Sequence, residues 1–174
     1  MKGKTWMIPE NVIKPNRQHR HFRKKPLLLQ ALKREKESKT SGGIYHKIQI
    51  EMTYNSNHME GSKLTHDKTR FIFETKTLGT NDARVNVDDT IETTNHFRCI
   101  DYVIDNVKSK LAESFTKQLH FTLKSSASDT SNSWFMVGDY KLMPNEVGGN
   151  ETTDSSLVKQ EISALLKGYS KKRQ

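Results

Sequence analysis

Thr53-Tyr54-Asn55-Ser56-Asn57-His58-Met59-Glu60-Gly61 closes a segment in which Ile44, Ile48, Met52 and Met59 recur at or near helical intervals. That spacing predicts one amphipathic helix that buries these four side chains and stops near Gly61. Its last turns are polar where a buried face should continue, and they put Ser56 and Glu60 four residues apart on one side. On spacing alone, the run is the frayed end of a helix with a glycine stop.

Working outward, Leu27-Leu28-Leu29 and Leu32, followed by Lys33-Arg34-Glu35-Lys36-Glu37, predict a short helix, and Thr40-Ser41-Gly42-Gly43 a break after it. On the other side, Thr65 is placed to cap a helix running through Leu78, with Phe71, Ile72, Thr75 and Leu78 on its apolar face and Gly79-Thr80-Asn81-Asp82 as its stop. Asp89-Thr90-Ile91-Glu92 is a variant capping box and opens a long helix with Phe97, Ile100, Val103, Ile104 and Val107 on one stripe. Leu111, Phe115, Leu119 and Leu123 mark the next helix. Residues 125–133 form a Ser, Asp and Thr-rich loop, and Gly138 ends the apolar run 134–137.

Tyr140-Lys141-Leu142 and Glu146-Val147 are expected to pair around Met143-Pro144-Asn145 as a small hairpin closed by Gly148-Gly149. A last helix follows Asp154, with Val158, Ile162, Leu165, Leu166 and Tyr169 on a stripe that needs a partner surface. Five or six helices and one hairpin make the expected class mainly α.

The formal net charge of +9 is concentrated at one end. Residues 1–40 hold 12 of the 29 Lys and Arg but 3 of the 20 Asp and Glu, so residues 41–174 are balanced. The domain reading follows: 1–40 is a basic, largely disordered leader with a short helix, and 41–174 is the folded part. A basic arm can contact phosphates, but Trp6 and Phe22 are not interleaved with the cations as base-stacking platforms are. The leader is therefore read as a solvated arm, and nucleic-acid binding through it as a minor alternative.

No stretch of ~20 apolar residues is present, so no membrane partner is expected. One cysteine, Cys99, excludes an internal disulfide, and a cytoplasmic location is the default. Cys99 reads as a small core residue. The seven histidines form no HExxH or Cys/His pattern, so no metal site is expected.

Ser56, Glu60 and Gly61 are similar to the (S/T)xxxE(G/N) inhibitory motif of the Fic (Fido-domain) family. Two further stretches carry the resemblance. One is Gly79-Thr80-Asn81-Asp82 with Asn95-His96-Phe97-Arg98 and Asp101-Tyr102; the other is Val137-Gly138-Asp139-Tyr140-Lys141 through Pro144-Asn145-Glu146-Val147-Gly148-Gly149. Together they run in the family's order over residues 44–169. The resemblance implies an incomplete Fic-type helical bundle with one small β-hairpin, the family's target-docking flap. Its members move a nucleotide monophosphate, usually AMP from ATP with Mg, onto protein hydroxyls. The flap would hold an extended target segment by main-chain hydrogen bonds, through Tyr140, Lys141, Leu142, Pro144, Asn145, Glu146, Val147, Gly148 and Gly149. On its residues alone that segment is equally an ordinary surface hairpin. Glu60 would pair with the second arginine of HPFxxGNGRxxR and so displace the ATP γ-phosphate, because a bidentate carboxylate occupies the guanidinium's phosphate-binding fork.

One departure decides the functional expectation. The sequence contains no HPFxxGNGR: His21-Phe22, His96-Phe97 and His120-Phe121 are its only His-Phe pairs, and none is followed by proline. General base, anion-binding loop and arginines are all missing. The chain is thus expected to be the N-terminal half of a Fic protein, truncated before that motif, with no catalytic residues, no cofactor of its own and no AMP transfer by itself. Its expected partners are a target protein or an intact Fic protein, the latter if Glu60 acts as an inhibitor in trans.

Overall fold

The computed structural model describes residues 27–78 and 84–172. The reading of residues 1–26 as a disordered arm, and of residues 79–82 as a helix stop, lies outside them. Among the described residues six helices follow in order: α1 (Leu27–Ser38), α2 (Ile44–Met59), α3 (His66–Thr75), α4 (Val87–Asn106), α5 (Glu113–Lys124) and α6 (Val158–Lys172). A 3-10 turn (Ser128–Ser131) and a two-stranded antiparallel hairpin, β1 (Glu146–Val147) and β2 (Asn150–Glu151), lie between the last two. The chain is mainly α with one hairpin, as the periodicity predicts.

The bundle is organised around α4, which packs against α1, α2 and α3 on one side and α5 on the other. Leu32, Tyr45, Ile100 and Ile104 form one apolar cluster, and Leu64, Ile72 and Phe97 a second. Phe73 of α3 touches both, although the sequence pattern assigned it no core role. Its ring meets those of Tyr45, His46 and Phe97 edge-on, a favoured aromatic geometry.

Caps explain the helix starts, with one correction. Thr65 Oγ1 accepts the Lys68 amide at 3.2 Å, as expected of an N-cap. The α4 cap is Asn86, whose Oδ1 accepts the Asp88 amide at 2.9 Å, so the helix begins three residues before the expected Asp89 box. The freed acids make tertiary bonds: Asp88 accepts from the Ser128 amide, Asp89 from the Lys63 amide, and Glu92 pairs with Lys124 at 2.7 Å. Carboxylates in a first helical turn also face the positive end of the helix dipole. The α2 start has no side-chain cap of its own; Glu35 of α1 accepts the Tyr45 amide at 2.9 Å.

Helix α3 stops at Thr75 rather than Leu78, because Lys76 takes the left-handed conformation (φ +59°) and its amide returns to the Ile72 carbonyl. Of its expected apolar face only Ile72 is buried, while Phe71 and Leu78 are exposed. On α4, Phe97, Ile100 and Ile104 are buried as expected, but Val103 and Val107 face outward. The α5 stripe is half-buried against α4, and Phe115 stacks on Tyr102 at 5.0 Å.

The hairpin differs from expectation. Glu146 pairs with Glu151 and Val147 with Asn150, so Gly148-Gly149 is the turn itself rather than its closure. Both glycines have positive φ (+59° and +77°), the geometry of a two-residue type I′ turn that matches strand twist. Residues 140–142 are not a strand. Pro144 cannot donate a ladder bond, and Lys141 Nζ instead bonds Asn145 Oδ1 and Thr152 Oγ1 at the hairpin's base.

Candidate functional site: the end of α2 and the hairpin

Helix α2 was expected to bury Ile44, Ile48, Met52 and Met59. Ile48 alone packs on the core; Ile44, Met52 and Met59 are exposed. The inward face is Tyr45, Gln49, Thr53 and Asn57, at four-residue spacing, with Ile50 beside it. These polar side chains are buried because each finds a partner on α4, and burial without one is costly. Tyr45 Oη donates to Asp101 Oδ1 at 2.8 Å, and Gln49 Nε2 donates to the same oxygen at 2.9 Å. Thr53 Oγ1 and His96 Nδ1 share a bond of 2.9 Å, and Asn57 Nδ2 donates to Thr93 Oγ1 at 2.8 Å. Burial and the Asp101 carboxylate together push the Tyr45 pKa up, so the phenol stays a donor. Gln49 Oε1 is buried with no partner among the described residues.

This seam ends at the predicted motif. Ser56 lies half-buried in the last full turn and its carbonyl accepts the Glu60 amide at 3.2 Å. Glu60 caps the helix (φ −83°, ψ 4°), exposed, and its carboxylate has no partner among the described residues. Gly61 turns the chain with φ +94°, a conformation side chains resist. The Ser62 amide then bonds the Asn57 carbonyl and the Lys63 amide bonds Asp89, fixing the turn on the start of α4. Tyr54 stacks on His58 and meets His66 edge-on alongside.

The hairpin region is held on α5 instead. Gly138 donates its amide to His120 Nδ1 at 3.1 Å, and Lys117 reaches Glu113 at 3.0 Å and Asp139 at 2.8 Å while lying 4.1 Å from the Tyr140 ring centroid. Burial, then the Glu113 carboxylate, push the Tyr140 pKa up. A groove of about 270 Å³ opens between His120, Trp134, Met136 and residues 141–145. Leu142 and residues 144–149 are exposed. No hydrogen bond or ion pair among the described residues joins the Ser56–Gly61 turn to residues 140–149; the two predicted sites sit on opposite partners of α4.

No protein-family model matches the sequence, and no curated protein does. Among solved structures, the crystal structure of a Fic domain containing signaling protein from Bacteroides thetaiotaomicron is similar, with a TM-score of 0.61 over 82% of this chain. The fold is the Fic fold. At 23% identity the likeness extends to the fold alone, and this chain covers 55% of that protein's length. Among the described residues, no three His, Cys, Asp or Glu side chains are grouped to hold a metal ion, and no helix is long and apolar enough to cross a membrane.

The polar inner face of α2 is what sequence reading missed. Its signal was present, since Tyr45, Gln49, Thr53 and Asn57 are hydrogen-bonding, uncharged and four residues apart, but helical periodicity is ordinarily carried by apolar residues. Cys99 is half-buried, with its thiol 3.5 Å from the Leu119 carbonyl; burial pushes its pKa up to about 11, the behaviour of an inert core thiol.

Proposed function

We propose that this chain is the regulatory and target-docking part of a Fic-type protein adenylyltransferase system and does not itself transfer AMP. Glu60 is the inhibitory carboxylate, with Ser56 and Gly61 shaping the turn that presents it. Residues 140–149 are the docking flap. The observation that carries the reading is the state of Glu60: an exposed carboxylate at the end of a helix fastened to α4, bonded to no other described residue. Such a group is positioned to take a guanidinium from outside these residues at no cost in broken bonds.

The residues present do not make an ATP–Mg site, because the 174 residues contain no HPFxxGNGR sequence and the described ones no carboxylate cluster. The arginine that Glu60 holds therefore belongs to a Fic centre supplied by other residues, in the same system or in an intact Fic protein. On the hairpin, the short strands and their type I′ turn leave exposed backbone edges to which an extended target segment can add. A cytoplasmic setting fits this role.

Two assays separate the parts of this reading. The chain incubated with labelled ATP is expected to label neither itself nor a lysate above a heat-denatured control; labelling would overturn the first statement. Added to an intact Fic enzyme whose own inhibitory glutamate is replaced by glycine, the chain is expected to lower labelling and its Glu60→Gly form to leave it unchanged. Equal labelling with both would remove Glu60 from the inhibitory role.

A further inference from the structure

The helix that presents Glu60 is fastened to α4 over its C-terminal half by hydrogen bonds more than by apolar packing. Thr53 meets His96, Asn57 meets Thr93, and beyond the helix the Lys63 amide meets Asp89. Thr53 and Thr93 are wholly buried. Histidine is the side chain whose charge ordinarily changes between pH 5 and 8. His96 is the histidine of this seam.

Among the described residues no carboxylate pairs with it. From α2 the side chains flanking Thr53 are the neutral Gln49 and Asn57. Several charged groups of the elements around α4 pair elsewhere: Lys36 of α1 with Asp101 and Asp105, Glu51 of α2 with His66, His46 with Glu74 of α3, and Lys124 of α5 with Glu92 and Asp129. Lys76, at the end of α3, lies over the rings of Phe73 and Phe97 and brings a like charge rather than a counter-ion. Burial accordingly holds the His96 pKa below its ordinary value.

We propose that His96 is a pH-sensitive latch for α2: protonation places an uncompensated cation in the α2–α4 seam and releases the half of the helix that carries Ser56 and Glu60. The fastened state binds the proton less readily than the released one. Fastening is therefore fully present above the ordinary histidine pKa of ~6.5 and is lost as pH falls through the lower, buried value. The release of α2 stands on the seam alone. Its regulatory meaning, the withdrawal of Glu60 from its arginine in acid, rests on the reading of Glu60 given above.

The test uses the 174-residue chain without any Fic partner, so its outcome is independent of that reading. Amide hydrogen exchange is followed at pH 7.5 and 5.5, corrected for intrinsic rate, in wild type and His96→Gln. Amides of the last two turns of α2 are expected to lose protection several-fold in wild type at the lower pH, with those of α5 changing less, and His96→Gln is expected to flatten the difference. A wild type with equal protection at both pH values overturns the latch. So does a variant that responds as strongly as wild type, which would shift the effect to the His46 or His66 pairs. Should His96→Gln not fold, the ring resonances of His96 in wild type decide: titration below free histidine supports the proposal, and titration at or above it overturns it.

Discussion

A Cβ added to Gly138 would lie 2.8 Å from Cβ of Phe121, and the backbone there has φ +77°. Both the approach and the conformation exclude a side chain. Gly138→Ala is expected to destabilise the chain by about 1–3 kcal/mol, read as a lowered denaturation midpoint, because the loop must either strain or leave α5. Glu60 presents the opposite case. It is exposed and unbonded among the described residues, so Glu60→Gly should change stability by less than ~0.5 kcal/mol while abolishing inhibition in the mixed assay. That separation of stability from function is what a presented ligand, rather than a structural residue, predicts. At this scale the sequence was most legible where a side chain acts on its own neighbours: Thr65 caps α3, and Gly61 ends α2. Glu92 was misread because its partner, Lys124, lies 32 residues away in another helix.

Among the elements, α2 and the hairpin show why patterns can name a helix or a turn and still miss its orientation. Periodicity identified α2, but the face it buries is set by what α4 offers, and Thr93, His96 and Asp101 offer hydrogen bonds. Met143-Pro144-Asn145 was read as the hairpin turn and Gly148-Gly149 as its closure; the turn falls at Gly148-Gly149 instead, with Lys141, Asn145 and Thr152 closing the base below. Replacing Gly148-Gly149 by Asn-Gly should keep the hairpin, since that pair favours the same turn, whereas Ala-Ala should lose it, as cross-strand proton contacts would report. The loop ahead of the hairpin carries its own pH dependence. His120 accepts the Gly138 amide through Nδ1 only when that nitrogen is unprotonated, and burial, then Lys124, hold its pKa down. The contribution of this bond is thus complete above ~6.5 and lost as pH falls. Emission from Trp134, which packs against Phe135 beside His120, should shift on acidification in a Trp6→Phe background and should not in His120→Phe.

At the scale of the molecule, both apolar clusters of the described residues lie among α1–α4 and the segment between α2 and α3, while α6 packs on α5 and keeps Leu165 exposed. The stripe on α6 was read from the sequence as one in need of a partner surface; Val158, Ile162 and Leu166 are half-buried, and Leu165 and Tyr169 are exposed. Leu165→Glu should accordingly leave the denaturation midpoint of the chain nearly unchanged, since no buried contact is lost. The class and the order of elements were legible, because helical spacing and glycine punctuation are local properties; the proposed chemistry rests on one exposed carboxylate, Glu60, with no partner among the described residues. Glu60 is the proposed point of contact with a Fic enzyme. Labelled-AMP transfer by a Fic enzyme freed of its own inhibitory glutamate, titrated with this chain, tests it most directly. Wild-type chain is expected to suppress transfer in a concentration-dependent way and Glu60→Gly to leave it unchanged; suppression by neither form, or by both equally, would remove Glu60 from the inhibitory role.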